Sequence, residues 1–253
     1  MFFLVGLLVT FNVYAECVEG YCVNGKGIYT WVSGNVYEGD FLKDNRSGKG
    51  KYTWADGDVY EGDFLKGEQT GKGKYTWVNG DIYNGDWLKN ERTGKGIYIW
   101  VSGNVYEGDF LKGLENGKGQ LTLADGEVYE GDFLKGERTG KGKLTWGKNS
   151  DWSGDVYEGD FLKDERTGKG IYTWANGKIN EGYWLDGQFV ETFAEREKKE
   201  KVRIAKEEKV RLAKKKTEKI HIAIEEKERD RSDKIFIDGV LDKNTDWICK
   251  QAV

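Results

Sequence analysis

The sequence predicts a mainly β protein of stacked β-hairpins, followed by a long charged α-helix. Two observations predict this fold class. A 23-residue pattern recurs along most of the chain, and glycine supplies 36 of the 253 residues while proline supplies none. All but two of the glycines lie within residues 20–187, and the composition then changes to Glu, Lys, Arg and Ala. Aromatic residues reach 14%, which argues against a disordered chain.

The N-terminal residues 1–15 are predicted to be a signal peptide. Their apolar run is shorter than the about 20 residues that span a bilayer, and it fits the core of a secretory signal. Cleavage before Glu16 gives an exported protein, periplasmic or secreted. The alternative is an uncleaved apolar N-terminus and a membrane-associated protein, because no Lys or Arg precedes Lys26.

Cys17 and Cys22 lie directly after the predicted cleavage site. In an exported chain this pair indicates a disulfide, and two unpaired thiols are the alternative. Cys249 stands alone near the C-terminus, and its fate is left open. Three cysteines and one histidine give no zinc-site spacing, so neither a metal nor another cofactor is predicted.

Each 23-residue unit contains two strand-like segments. In the second full unit they cover residues 59–65 and 73–77. Tyr60 and Phe64 alternate with acidic residues, so one face of the strand is aromatic and the other is charged. Turn-forming residues separate the segments (KGEQTG) and the units (VNGD). We therefore expect each unit to be a β-hairpin that buries its rings against the next unit.

The segment YEGDFLKGEQTGKGKYTWVNG, which begins at Tyr60, resembles the MORN repeat, with its Tyr-x-Gly, second turn, Gly-x-Gly and closing Gly. About seven copies form a predicted repeat domain over residues 16–187. The resemblance implies an elongated, single-layer antiparallel sheet that serves as a scaffold or adaptor. Contacts between copies are expected to differ at the short first copy, the insertion at 148–154 and the degenerate copy at Asn180.

Residues 188–234 are predicted to form one charged helix, because they contain strong helix formers and neither Gly nor Pro. Their apolar residues recur every eight positions, as at Ile204 and Leu212, which disfavours a heptad coiled coil. The helix is either solvated or packed through its apolar and basic face on an acidic surface, and both arrangements stay open. A C-terminal tail follows at 235–253.

The sequence predicts no enzyme and no catalytic residue. The acidic pairs recur in six copies, which fits a surface ladder better than one active site. The single histidine, His221, lies in the charged helix without a nearby nucleophile. The net charge of −4 lacks the basic excess of a nucleic-acid-binding protein, so no nucleic acid partner is expected.

The predicted function is binding, as an exported scaffold for protein–protein or envelope-surface interactions. Aromatic side chains give rigid contact area at low entropic cost, so the aromatic face is the candidate binding surface. Its predicted centre consists of Tyr60, Phe64, Tyr75, Trp77, Tyr83, Trp87, Tyr98 and Trp100. The alternative is that these rings only hold the sheet together. Two other partners stay open: an anionic membrane surface facing the helix, and an envelope glycan stacked on the rings.

Overall fold

The described part of the chain forms one antiparallel sheet followed by one helix, so the predicted mainly β fold is confirmed. This computed structural model describes residues 15–251, with side chains described through residue 234; the predicted signal peptide, except for its last residue, and the Cys249 side chain lie outside that part. The 16 described strands pair in chain order. They are β1 (Glu16–Gly20), β2 (Asn24–Thr30), β3 (Val36–Leu42), β4 (Asn45–Thr53), β5 (Val59–Leu65), β6 (Glu68–Thr76), β7 (Ile82–Leu88), β8 (Glu91–Ile99), β9 (Val105–Leu111), β10 (Leu114–Thr122), β11 (Val128–Leu134), β12 (Glu137–Thr145), β13 (Val156–Leu162), β14 (Glu165–Thr173), β15 (Ile179–Leu185) and β16 (Gln188–Thr192).

Two-residue turns close the hairpins inside the units. Between β5 and β6, Lys66 and Gly67 have φ values of 50° and 85°. Positive φ at both central positions is the pattern of a type I′ turn, which matches the twist of paired strands. Because the chain reverses within two residues, β6 begins at Glu68, five residues before the start that the sequence predicts for this strand.

A bulge follows each of these turns and explains the recurring Gly-Lys-Gly. Gly62 pairs with Gly73, whereas Asp63 pairs with Thr70, which leaves two extra residues on β6. One of them, Gly71, has a φ of 56°. The backbone N–H of the other, Lys72, donates to Asp63 Oδ2 at 3.0 Å. The aspartate therefore satisfies a donor that the bulge removes from the ladder.

The two ends of the sheet depart from the regular repeat. At one edge β1 pairs with β2, and the predicted disulfide joins Cys17 to Cys22. At the other edge residues 188–192, which the sequence assigns to the helix, form β16. A strand forms there because it places the Phe189 ring 5.4 Å from the Trp184 ring and continues the core by one more ring.

The helix α1 extends over Phe193–Gln251 and therefore includes most of the predicted C-terminal tail. It begins after β16, and Glu195 in its first turn is favourably placed for the helix dipole. Ion pairs spaced one turn apart support its N-terminal part, such as Lys201 with Glu197 at 2.6 Å and Arg203 with Glu207 at 2.7 Å.

Candidate binding surface on the aromatic face

Six tyrosines form an inner ring column that has almost no exposed surface. Each is 0–1% exposed, and they are Tyr37, Tyr60, Tyr83, Tyr106, Tyr129 and Tyr157. The Tyr60 ring meets Phe64 of its own unit at 5.1 Å and Trp87 of the next unit at 5.2 Å, both edge to face. Such contacts link neighbouring units, so the inner ring column holds the sheet together.

The hydroxyl groups of the inner ring column are bonded to backbone carbonyls. Tyr60 Oη donates to the Asp63 carbonyl at 3.1 Å and lies 3.4 Å from that of Thr70. Burial, and next the nearby Asp40 carboxylate, raises the pKa of Tyr37 to about 12. These tyrosines are neutral structural side chains in the physiological range.

A second set of rings forms an outer ring column near one end of the strands. Successive ring centroids lie 4.4–5.4 Å apart without a break over eight rings. The column consists of Tyr29, Trp31, Tyr52, Trp54, Tyr75, Trp77, Tyr98 and Trp100. Its tryptophans are half-buried, so they pack on the core and still present surface to solvent.

Aspartates in the turns between units hold two tyrosines of the outer ring column, Tyr75 and Tyr98. Tyr75 Oη donates to Asp58 Oδ2 at 2.6 Å, and Asp58 Oδ1 accepts the Val78 backbone N–H at 2.8 Å. Burial, followed by the hydrogen bond to Asp58, raises the pKa of Tyr75 above its ordinary value. One carboxylate therefore fixes the position of the tyrosine ring and also accepts a hydrogen bond from the following turn.

Arginines lie over the rings of the aromatic face, a placement that the repeat pattern alone does not predict. The Arg46 guanidinium is centred 4.6 Å from the Tyr52 ring, and Arg92 lies 5.0 Å from Tyr98. Arg46 Nη2 donates to the Gly67 carbonyl at 2.6 Å. Burial lowers the pKa of Arg46. The sequence signal is the Arg two residues after several hairpin turns, as in NRSGKG and ERTGKG.

The outer ring column is interrupted in two neighbouring units, where Leu121 and Leu123 replace a Tyr and a Trp and Leu144 replaces the next Tyr. Next to these leucines, Arg138 forms ion pairs with two carboxylates: Nη1 lies 3.5 Å from Glu127, and Nε lies 3.2 Å from Asp164. Burial raises the pKa of Glu127. The long unbroken stretch of rings therefore ends at Trp100.

The eight residues predicted as the centre of the binding surface divide into two groups. Five are buried in the core: Tyr60, Phe64, Tyr83, Trp87 and Tyr98. The other three, Tyr75, Trp77 and Trp100, are half-buried members of the outer ring column. The second group is therefore accessible to solvent without opening the sheet, whereas the first group is covered by neighbouring side chains.

Within the described part of the chain, no group of three His, Cys, Asp or Glu side chains could hold a metal ion. Among the same residues, no helix has the length and apolar character needed to cross a membrane.

The repeated ring columns and bulged hairpins define a protein of stacked β-hairpin repeats. The family model of the MORN repeat matches this chain at residues 24–36, 37–59, 60–82, 83–105, 106–128, 129–150 and 157–179. The chain belongs to the MORN repeat family, which confirms the resemblance seen in the sequence. Comparison with curated proteins gave no match.

Several solved structures are similar to this chain at low identity. The TCP domain of Drosophila melanogaster SAS-4, solved with a proline-rich motif of Ana2, is 12% identical, covers 68% of this chain and 90% of its own, and has a TM-score of 0.42. The wild-type TCP10 domain of Danio rerio CPAP is 11% identical, with 65% and 85% covered and a TM-score of 0.31. Streptogramin B lyase is 12% identical, with 66% and 72% covered and a TM-score of 0.17.

Proposed function

We propose that this MORN-repeat chain is a non-enzymatic scaffold that binds a protein partner along the outer ring column. The observation that supports it is the unbroken run of eight rings, whose tryptophans remain partly exposed although the inner ring column already closes the core. Partly exposed tryptophan next to arginine is the composition of interaction hot spots. Each arginine also has N–H donors that can meet a carboxylate or carbonyl of the partner.

The partner is identified by crosslinking and mass spectrometry in the native compartment, and its affinity is then measured by calorimetry. We expect the double variant Trp54→Ala, Trp77→Ala to lose about tenfold or more in affinity, as for hot-spot residues. The matched control is Leu42→Ala, Leu65→Ala, because these leucines lie on the other face and are 57% exposed.

Trp77→Leu, which keeps apolar packing, separates binding from folding. If the thermal midpoint of this variant is preserved and partner affinity is unchanged, the proposal is wrong. Tight binding of an envelope glycan to the wild-type protein in place of the protein partner would also contradict it, as would flotation with anionic vesicles that accounts for all recovered binding.

We further propose that the protein is exported. The support is the apolar segment 1–15 together with the Cys17–Cys22 disulfide, since disulfides persist in oxidising compartments. The intact mass of the native protein should correspond to a chain that begins at Glu16. A native chain that retains its first residues and carries two free thiols at these cysteines would rule export out.

A further inference from the structure

A column of exposed leucines runs along the charged face of the sheet, opposite the rings. Each leucine ends the first strand of a unit, and each is 52–58% exposed. This leucine column consists of Leu42, Leu65, Leu88, Leu111, Leu134, Leu162 and Leu185. Side chains this exposed add little to the core, yet a leucine stands at this place even in the degenerate last copy.

A row of glutamates runs parallel to the leucine column on the same face. In the N-terminal half of the sheet it is neutralised: Glu61, for example, pairs across the ladder with Lys51 on one side and Lys74 on the other. In the C-terminal half, most of the residues that pair with the glutamate row are not lysines. Glu107 stands between Ile97 and Gln120, and its row there carries Glu107, Glu130, Glu158 and Glu181 against the single Lys143.

The zone between the leucine column and the glutamate row is electrically balanced. Lys95 pairs with Asp109 at 2.7 Å, and Lys118 pairs with Asp132 at 2.6 Å. The C-terminal half of the charged face therefore presents a line of leucines, a neutral zone and an acidic line, in that order across the strands. Within the line of leucines, Leu111 faces Leu114, whereas Leu134 faces Glu137 and Leu162 faces Glu165, so acidic side chains also lie between the leucines. Like-charge repulsion disfavours a second copy of this acidic face as the occupant.

We propose that the C-terminal half of the charged face, between Leu111, Leu134, Leu162, Leu185 and the glutamate row, docks a basic amphipathic α-helix of a partner protein. The helix carries an apolar residue at every seventh position and Lys or Arg along the flank that faces the glutamates. This site is on the face opposite the outer ring column and does not depend on the proposed function.

The spacing of the leucines selects a helix with this repeat. Consecutive leucines are two strands apart, about 9.6 Å, and seven helical residues rise about 10.5 Å. The helical rise and the leucine spacing therefore differ by about 1 Å per leucine. Over the four leucines of the acidic half the difference stays small, but over all seven leucines it reaches about one helical turn, so a longer helix loses register. The docked helix is therefore about 22 residues long.

The width of the site also favours a helix. The leucine column and the glutamate row are four residues apart along a strand, which is about 13 Å. A helix with its side chains is about 10–12 Å wide, so one helix laid over the neutral zone reaches both lines. In an extended strand every second side chain points to the same face. Residues on that face recur about every 6.6 Å, which does not match the leucine spacing.

The test uses the full chain and a synthetic peptide of about 22 residues, with Leu at every seventh position and Lys on the adjacent flank. Fluorescence anisotropy should show saturable binding that weakens with salt. The triple variant Leu111→Gln, Leu134→Gln, Leu162→Gln should bind about tenfold more weakly, as should the variant Glu107→Gln, Glu130→Gln, Glu158→Gln. The matched control in the neutral half, Leu42→Gln, Leu65→Gln, Leu88→Gln, should change affinity less than about threefold.

Because the substituted side chains are about half-exposed or more, all variants should keep the wild-type thermal midpoint. The proposal is overturned if a peptide of the same composition in scrambled order binds equally well. It is also overturned if the control triple variant loses as much affinity as the C-terminal one, or if a proline-rich peptide of equal charge binds more tightly. Loss of peptide binding in Trp54→Ala, Trp77→Ala would place the peptide on the ring face and equally exclude this site.

Discussion

At the scale of single residues, each inner tyrosine packs its ring over a pair of glycines that face each other on neighbouring strands. Gly62 and Gly73 face each other across the ladder, and the Tyr60 ring lies over them. A Cβ added at Gly73 would overlap the Tyr60 ring and hydroxyl. The glycine is therefore required here by the space that the ring fills, and it lacks the positive φ of the turn glycines.

We expect Gly73→Ala to destabilise the protein by about 2–3 kcal/mol, the usual cost of overpacking a core. The matched control is Gly177→Ala, where a Cβ would meet no atom within 4 Å but φ is +84°. Backbone strain alone costs about 1 kcal/mol there. Urea denaturation measures both, and equal losses would show that the ring contact is not the cause.

Buried tyrosines also predict instability at high pH. Burial raises the pKa of Tyr129 to about 12, whereas tyrosine in an unfolded chain has a pKa of about 10. The neutral form stabilises the fold fully below pH about 10, and this contribution is lost as pH rises through the folded pKa. The free energy of unfolding should therefore fall steeply between pH about 10 and 12.

The matched variant for this prediction is Tyr129→Phe, which keeps the ring and removes one titrating group. Its unfolding free energy should fall less steeply with pH than that of the wild type, because unfolding releases one proton fewer. Denaturant titrations at several pH values, followed by tyrosinate absorbance, give the two slopes. Identical slopes would mean that the buried tyrosines do not govern alkaline unfolding.

At the scale of the element, the aspartate of a bulged hairpin makes two contacts, a hydrogen bond to the bulge and an ion pair across the ladder. Asp109 Oδ2 accepts the Lys118 backbone N–H at 3.0 Å, while Oδ1 lies 2.7 Å from Lys95 Nζ. The hydrogen bond from Lys95, with that from the Lys118 backbone, lowers the pKa of Asp109 although burial opposes it. Its stabilising effect is thus present above pH about 4 and is lost at lower pH.

Asp109→Asn should cost less than about 1 kcal/mol, because the amide oxygen still accepts the backbone N–H and the lost ion pair is solvent-screened. Asp109→Leu should cost about 1–2 kcal/mol, since it leaves the bulge donor without its acceptor. Urea denaturation at neutral pH compares the two. A loss in the Asn variant as large as that in the Leu variant would assign the main role to the ion pair.

At the scale of the whole molecule, the sheet is a one-dimensional array, because its strands pair in chain order without a crossover. Damage in one unit should therefore stay near that unit. Tyr60→Ala removes ring contacts with Phe64 and Trp87, so amide exchange should accelerate in β4–β7 and stay slow in β12–β15.

Tyr157→Ala is the matched variant at the other end and should give the reverse exchange pattern. In the double variant, the two losses of unfolding free energy should add within about 0.5 kcal/mol. Uniform loss of protection along the sheet from either substitution would show that the array unfolds as one cooperative unit.

Much of this architecture can be predicted because its signals are local and repeated. The alternation of rings with acidic residues, as at Tyr60, identifies the strands, and the period identifies the hairpins. The start of β6 at Glu68 was missed because a two-residue turn and a bulge together look like one longer loop in the sequence. The strand at 188–192 was missed because its only strong signal is Phe189 against Trp184 of β15.

The sequence by itself determined the repeat, the ring columns and the charged face, because these follow from a pattern within 23 residues. Only the tertiary structure decided which rings stay accessible to solvent. Tyr60 is fully covered, whereas Trp77 in the same unit stays partly exposed. The physical reason is that burial depends on side chains from the neighbouring unit, such as Trp87 over Tyr60, and on which strand lies across the ladder. Neither is fixed until the hairpins have stacked.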